Sequence, residues 1–122
     1  MPNGKHLNIH IFECEIMKEL YRLHAEMCKV FSNPTRLEIL DLLRDREMSV
    51  TELIEKTRLS QANISQHLSI MRSKGIVTPR RKGKYLYYGL ASRKITEAFD
   101  IIREVLAEGL KRRGKIVKDY AG

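Results

Sequence analysis

The chain has no apolar run long enough to cross a bilayer, almost no cysteine, and across 41 consecutive residues no acidic side chain at all. A membrane-crossing helix needs about 20 largely apolar residues, so a soluble protein is expected. The stretch from Met1 to His10 lacks the charged-then-apolar order of a signal peptide, which makes the cytoplasm the expected compartment. Two cysteines, Cys14 and Cys28, are too few for a disulfide scaffold. On one helix their separation corresponds to about 21 Å, whereas a disulfide needs Cα atoms within about 7 Å. They are read as reduced thiols, with a bond across a dimer as the remaining pairing. The missing acids lie between Lys56 and Thr96, where Lys56, Arg58, Arg72, Lys74, Arg80, Arg81, Lys82, Lys84, Arg93 and Lys94 are all basic. The whole chain nets +8, so this one segment carries more positive charge than the protein does. Solvated faces usually mix signs. A concentrated, unmixed basic zone is the footprint of a polyanion binder.

What is present is helical periodicity. A chain of 122 residues suits one domain that buries a core without staples. Residues 1–8, broken by Pro2, Asn3 and Gly4, and residues 113–122 are expected as loose tails. Phe12, Ile16, Leu20, Leu23, Met27, Val30 and Phe31 recur at spacings of three and four, the mark of a long amphipathic helix. Asn33 and Pro34 then supply an N-cap and a first helical position. Leu37, Ile39, Leu40, Leu42 and Leu43 make the next helix apolar on most sides, hence buried. Ser49-Val50-Thr51-Glu52 has the capping-box form and opens a short helix burying Val50, Leu53 and Ile54. After a turn at Thr57-Arg58-Leu59, Ser60 caps another helix that presents Ile64, Leu68 and Met71 inward and stops at Gly75.

From Ile76 the period changes. Ile76-Val77-Thr78 reads as a strand that Pro79 confines to an edge, Arg80 to Lys84 as a turn region, and Tyr85 to Tyr88 as a second strand. Alternation puts Tyr85 and Tyr87 on one face, with core packing as their expected role and stacking on single-stranded bases as the alternative. Ser92 caps a last helix with a stripe at Ile95, Phe99, Ile102 and Leu106. The fold class is mainly α with a small β-hairpin: a winged helix-turn-helix, whose terminal helices form a dimer interface through Phe12, Ile16, Leu20, Leu23, Ile95, Phe99, Ile102 and Leu106.

The helix after Ser60 carries the chemistry. Outside its apolar stripe it offers Gln61, Asn63, Ser65, Gln66, His67 and Ser69, where a plain surface helix would carry Glu–Lys pairs. Amides pair bidentately with adenine N6/N7, and hydroxyls serve several bases. Gln61, Asn63, Ser65 and Gln66 are therefore the expected base readers on double-stranded DNA. Ser60, His67, Arg72, Arg80, Arg81, Lys82 and Lys84 are the expected backbone contacts, sequence-independent and salt-sensitive. No nucleophile–base pair, phosphate loop or paired carboxylate suggests an enzyme. A winged-helix module for RNA or a protein partner is the competing class.

Asn33-Pro34-Thr35-Arg36-Leu37-Glu38-Ile39-Leu40, Leu59 through Leu68, Arg72-Ser73-Lys74-Gly75-Ile76-Val77 and Gly83 through Tyr88 resemble, in order and spacing, the ArsR/SmtB family of repressors. The resemblance spans roughly Met27 to Leu90. It implies a homodimer on a near-palindromic operator, released by an inducer that is often a metal ion or a thiol oxidant. One family metal site uses Cys-Val-Cys where this chain has Ser49, Val50 and Thr51, and hydroxyls do not replace thiolates for soft metals. A second uses Asp and His on the last helix, and Ser92 to Leu110 holds no His. No cofactor is expected. The remaining metal candidates are His6, His10 and Cys14, spaced i, i+4, i+8, and the redox candidates are Cys14 and Cys28. The releasing signal stays unidentified.

Overall fold

The computed structural model describes residues 4–114, with side chains from Phe12 onward. The chain divides into two compact units between Leu37 and Glu38.

In the first unit, α1 (Gly4–Phe31) begins inside the segment read as a loose tail. Arg22 pairs with Glu19 and Glu26 one turn to either side, both at 2.6 Å. The helix ends as the sequence predicts. Ser32 Oγ donates to the Cys28 carbonyl at 2.9 Å, and Asn33 Oδ1 accepts from Arg36 N at 3.1 Å, starting α2 (Pro34–Leu42). Arg36 also donates to the Val30 carbonyl at 3.3 Å, satisfying an orphan acceptor of the preceding helix end.

The second unit continues α2 and adds β1 (Met48–Ser49), α3 (Val50–Thr57), α4 (Gln61–Ser73), β2 (Val77–Lys82), β3 (Tyr85–Leu90) and α5 (Lys94–Arg112). Its sheet has three antiparallel strands in the order β1-β3-β2, one more than the expected hairpin. Two residues are too short to show a period of two, which is why β1 leaves no trace in the pattern. Its core is drawn from every element but β3: Ile39 and Leu40 of α2, Leu43, Met48, Leu53, then Ile64, Leu68 and Met71 of α4, with Ile76, Val77 and Phe99. Val50 and Ile54, expected inside, are only half-buried.

Three junctions fix the helix pair and hairpin. Ser49 ends β1 and caps α3: its Oγ accepts from Glu52 N at 3.2 Å, while Glu52 Oε1 accepts from Ser49 N at 3.1 Å. Between α3 and α4, Arg58 takes a left-handed φ of 64°, and Thr57 Oγ1 bridges the turn, donating to Leu53 O and accepting from Leu59 N. After α4, Gly75 N bonds to Arg72 O and Ile76 N to Met71 O around a glycine with φ +72, a Schellman close that aims the chain into β2.

Strand β2 is longer than expected. Arg80, Arg81 and Lys82 pair with Tyr87, Leu86 and Tyr85, so only Gly83 and Lys84 form the turn. Gly83 has φ +59 and Lys84 does not have positive φ, the pattern of a two-residue hairpin turn with glycine first. A basic tetrapeptide looks like a turn by composition, but pairing with an aromatic strand holds it extended. Pro79 sits on the edge strand, as predicted.

Helix α5 has Arg93 at its N-cap position, without a side-chain cap bond, instead of the expected Ser92, whose Oγ accepts from Lys94 N at 3.2 Å one residue earlier. Arg44, just past α2, grips Asp100 with two bonds of 2.9 Å and Asp41 at 3.0 Å, while Arg103 reaches Asp41 at 2.8 Å. Past Arg112 the described chain ends at a left-handed Gly114, and the rest of the expected tail, 115–122, lies outside the described residues.

Ser49→Ala removes the α3 cap without touching the ladder, and is expected to lower unfolding free energy by about 1 kcal/mol in urea titrations. Acid acts on the same joints. Hydrogen bonds from the Ser49 backbone and Arg46 hold the Glu52 carboxyl below its ordinary value, and Arg44 does so for Asp100. A depressed folded-state pKa adds stability that is present above the ordinary carboxylate range and lost as pH falls through and below it. Stability in urea is therefore expected to be level from neutrality to about pH 5 and to decline below about pH 4.

Candidate nucleic-acid interface

Helix α4 has one buried side and one exposed side. Ile64, Leu68 and Met71 are fully buried, which fixes its rotation. Gln61, Asn63, Ser65, Gln66 and Ser69 are then all exposed, and His67 is half-buried. None of the side chains of Gln61, Asn63, Ser65 and Gln66 bonds to another described residue. Their donors and acceptors are open to water. Ser60 Oγ is already used as the cap, accepting from Asn63 N at 3.1 Å, which leaves its O–H to donate outward. Arg72 is exposed in the last turn, beside the negative end of the helix dipole.

The hairpin, the wing of this fold, divides its four cations. Arg81 and Lys84 are exposed and form no ion pair with a described residue. Arg80, expected as a backbone contact, is occupied instead: its Nε and Nη2 donate to the Glu47 carboxylate at 2.8 to 3.1 Å. Lys82 Nζ lies 3.8 Å from the same carboxylate and 5.4 Å from the centre of the Tyr87 ring. The Arg80 bonds hold the Glu47 carboxyl below its ordinary value. No sequence cue pointed to Glu47, which lies 33 residues from its partner. Tyr85, expected in the core, is 61% exposed at the hairpin end, where alternation alone could not place the sheet's limit.

The proposed interface helices also need one correction. On α1, Phe12, Ile16, Leu20 and Leu23 are exposed as expected, joined by Met17, Tyr21 and Met27. On α5, Ile102 and Leu106 are exposed, but Phe99 is only 6% exposed and Ile95 is half-buried. The single stripe read from the sequence is two faces. Thr96 and Phe99 point into the unit, and Ile101, Ile102, Val105 and Leu106 form an apolar strip facing out.

Cys14 and Cys28 are both free and exposed. No group of three potential metal ligands occurs among the described residues, and the side chains of His6 and His10 lie outside them. Ser49, standing where the resemblance would place a thiolate, has its oxygen committed to the α3 cap. No described helix is long and apolar enough to cross a membrane.

Comparison with known proteins gives one consistent answer. The family described as bacterial regulatory protein, arsR family, matches residues 33–78. The HTH-type transcriptional regulator Rv0081 of Mycobacterium tuberculosis is 39% identical over 101 residues, covering 82% of this chain and 89% of that protein. The transcriptional repressor SdpR of Bacillus subtilis is 31% identical over 66% of this chain and 90% of its own length, and the transcriptional activator HlyU of Vibrio cholerae 33% over 67% and 76%. Among solved structures, the crystal structure of Rv0081 superposes with a TM-score of 0.71 at 40% identity, over 77% of this chain and 95% of that one. The solution structure of the homodimeric winged helix-turn-helix DNA-binding domain Mb0332 from Mycobacterium bovis also gives 0.71, at 30% identity over 79% and 89%.

Proposed function

The chain belongs to the arsR family of bacterial regulatory proteins, and from that premise we propose that it is a homodimeric, sequence-specific regulator of transcription that binds duplex DNA in the cytoplasm. The carrying observation is α4, whose exposed side offers amides and hydroxyls with no partner among the described residues, beside a wing with two cations that pair with no described residue. The helix enters the major groove, where Gln61, Asn63, Ser65 and Gln66 meet base edges. Ser60, Arg72, Arg81 and Lys84 take phosphates, which sets register and adds salt-sensitive affinity.

The exposed apolar strips of α1 and α5 support the dimer, because a second copy is the partner that buries both by symmetry. The homodimeric Mb0332 domain supports the same assembly. Two copies present two α4 helices to a near-palindrome about one turn apart, ~34–36 Å. A dimer seated on a promoter blocks polymerase, so the reading is a repressor, released by a signal acting on the dimer helices.

Gln61→Ala and Asn63→Ala are expected to weaken operator binding while sparing random duplex, each costing about 1–3 kcal/mol of discrimination in competition gel shifts. Arg81→Ala should weaken both duplexes alike and flatten the salt slope by about 0.9 per wing. Ile102→Glu should yield monomers in sedimentation and abolish tight binding to a two-half-site duplex. Tight binding to single-stranded RNA but not to duplex would contradict the reading.

A further inference from the structure

Glu47 lies outside the acid-free run in sequence and inside the wing in space. It precedes β1, and one more step of the Met48↔Tyr88 register sets it opposite Gly89. The backbone of Gly89 does not have a positive φ, so its own conformation does not call for glycine. The neighbour does: a Cβ at residue 89 would stand 3.0 Å from Glu47 Cγ and 3.6 Å from its Oε2. The bare strand lets the Glu47 side chain lie across β3 and reach β2, where its Oε1 meets Arg80 Nη2 at 2.8 Å and Lys82 Nζ at 3.8 Å.

Arg80 and Lys82 are two residues apart on one strand and share a face of the sheet, while Arg81 points to the other. The pleat thus sorts the wing's cations into a pair facing an internal anion and an outward remainder, Arg81 with the turn residue Lys84. A two-pronged carboxylate is the closest protein equivalent of the phosphate that a guanidinium binds. The Arg80 and Glu47 side chains are 59% and 31% exposed, and ion pairs that open to water are weak. Glu47 therefore competes with phosphate at Arg80 and does not lock it away.

We infer that Glu47 is an internal counter-anion that limits the wing's sequence-independent grip on duplex DNA, and that Arg80 is the cation it withholds. The inference rests on the DNA-binding reading above. Whatever phosphate approaches this face must first displace a like charge, so the wing engages with about one effective positive charge fewer than its sequence carries.

The test is binding of the full chain to a random-sequence duplex across a KCl series, followed by fluorescence anisotropy, with melting curves for each variant. Glu47→Gln is expected to bind several-fold tighter at low salt and to steepen the slope of log K against log salt by about 0.9 per engaged wing, approaching 2 for a dimer. The double variant Glu47→Gln/Arg80→Gln should return to the wild-type slope. Glu97→Gln, the same charge change at the start of α5, should leave the slope unmoved. Gly89→Ala, which displaces Glu47 from the opposite side, should steepen the slope and so serves if Glu47→Gln fails to fold. Unchanged slopes in both Glu47→Gln and Gly89→Ala, with wild-type duplex binding intact, would overturn the inference alone, as would equal steepening by Glu97→Gln. A wild-type chain that ignores duplex DNA would instead remove the function on which the inference stands.

Discussion

Backbone pairing of Met48 and Ser49 with Tyr88 and Tyr87 fastens the hairpin to the helix pair, and the placement of the wing beside α3 and α4 depends on it. Three consecutive residues each do a different job there. Glu47 reaches across the sheet to β2, Met48 enters the core, and Ser49 caps α3. Since α3 packs on α4 and the sheet, a shift in this short strand moves reader and wing together. A two-residue ladder is weak alone. It holds because its side chains are committed on both sides, one to a buried core and one to a reciprocal cap.

From that joint the surface separates two kinds of recognition. Helix α4 keeps its charge-free polar groups outward because three fully buried residues leave no freedom of rotation. Such groups gain little from any phosphate and much from the right base edge. The wing instead carries charge, with Arg80 and Lys82 facing the Glu47 carboxylate. The Arg44–Asp100 and Arg103–Asp41 bridges tie α5 to the end of α2, so the apolar strip on α5 is presented from a braced helix. In the proposed function, reading, gripping and pairing with a second copy thus fall to different elements.

Most of this frame was legible in the residues. Caps at Asn33, Ser49 and Ser60, the stop at Gly75 and the inward triad of α4 act locally, within four residues, and local chemistry is what a sequence displays. What escaped was long-range or two-sided. β1 is shorter than any period. Arg80 to Lys82 read as a turn because composition outweighed pairing. Phe99 and Ile102 fell on one notional stripe, although α5 is apolar on two adjacent faces and only one meets the unit's own core. The acid-free run was true of the sequence but not of the folded surface, because Glu47 enters from 33 residues away.

The central claim is that α4 reads duplex DNA in pairs. It is tested most directly by selecting binding sites from a random duplex pool with the full chain and footprinting the winner at nucleotide resolution. The account predicts a near-palindrome whose two protected major-groove segments lie one helical turn apart, about 10–10.5 base pairs centre to centre. Phosphate protections from the wings should flank them. A pool that yields no common sequence, or a single unpaired patch without two-fold symmetry, would contradict it.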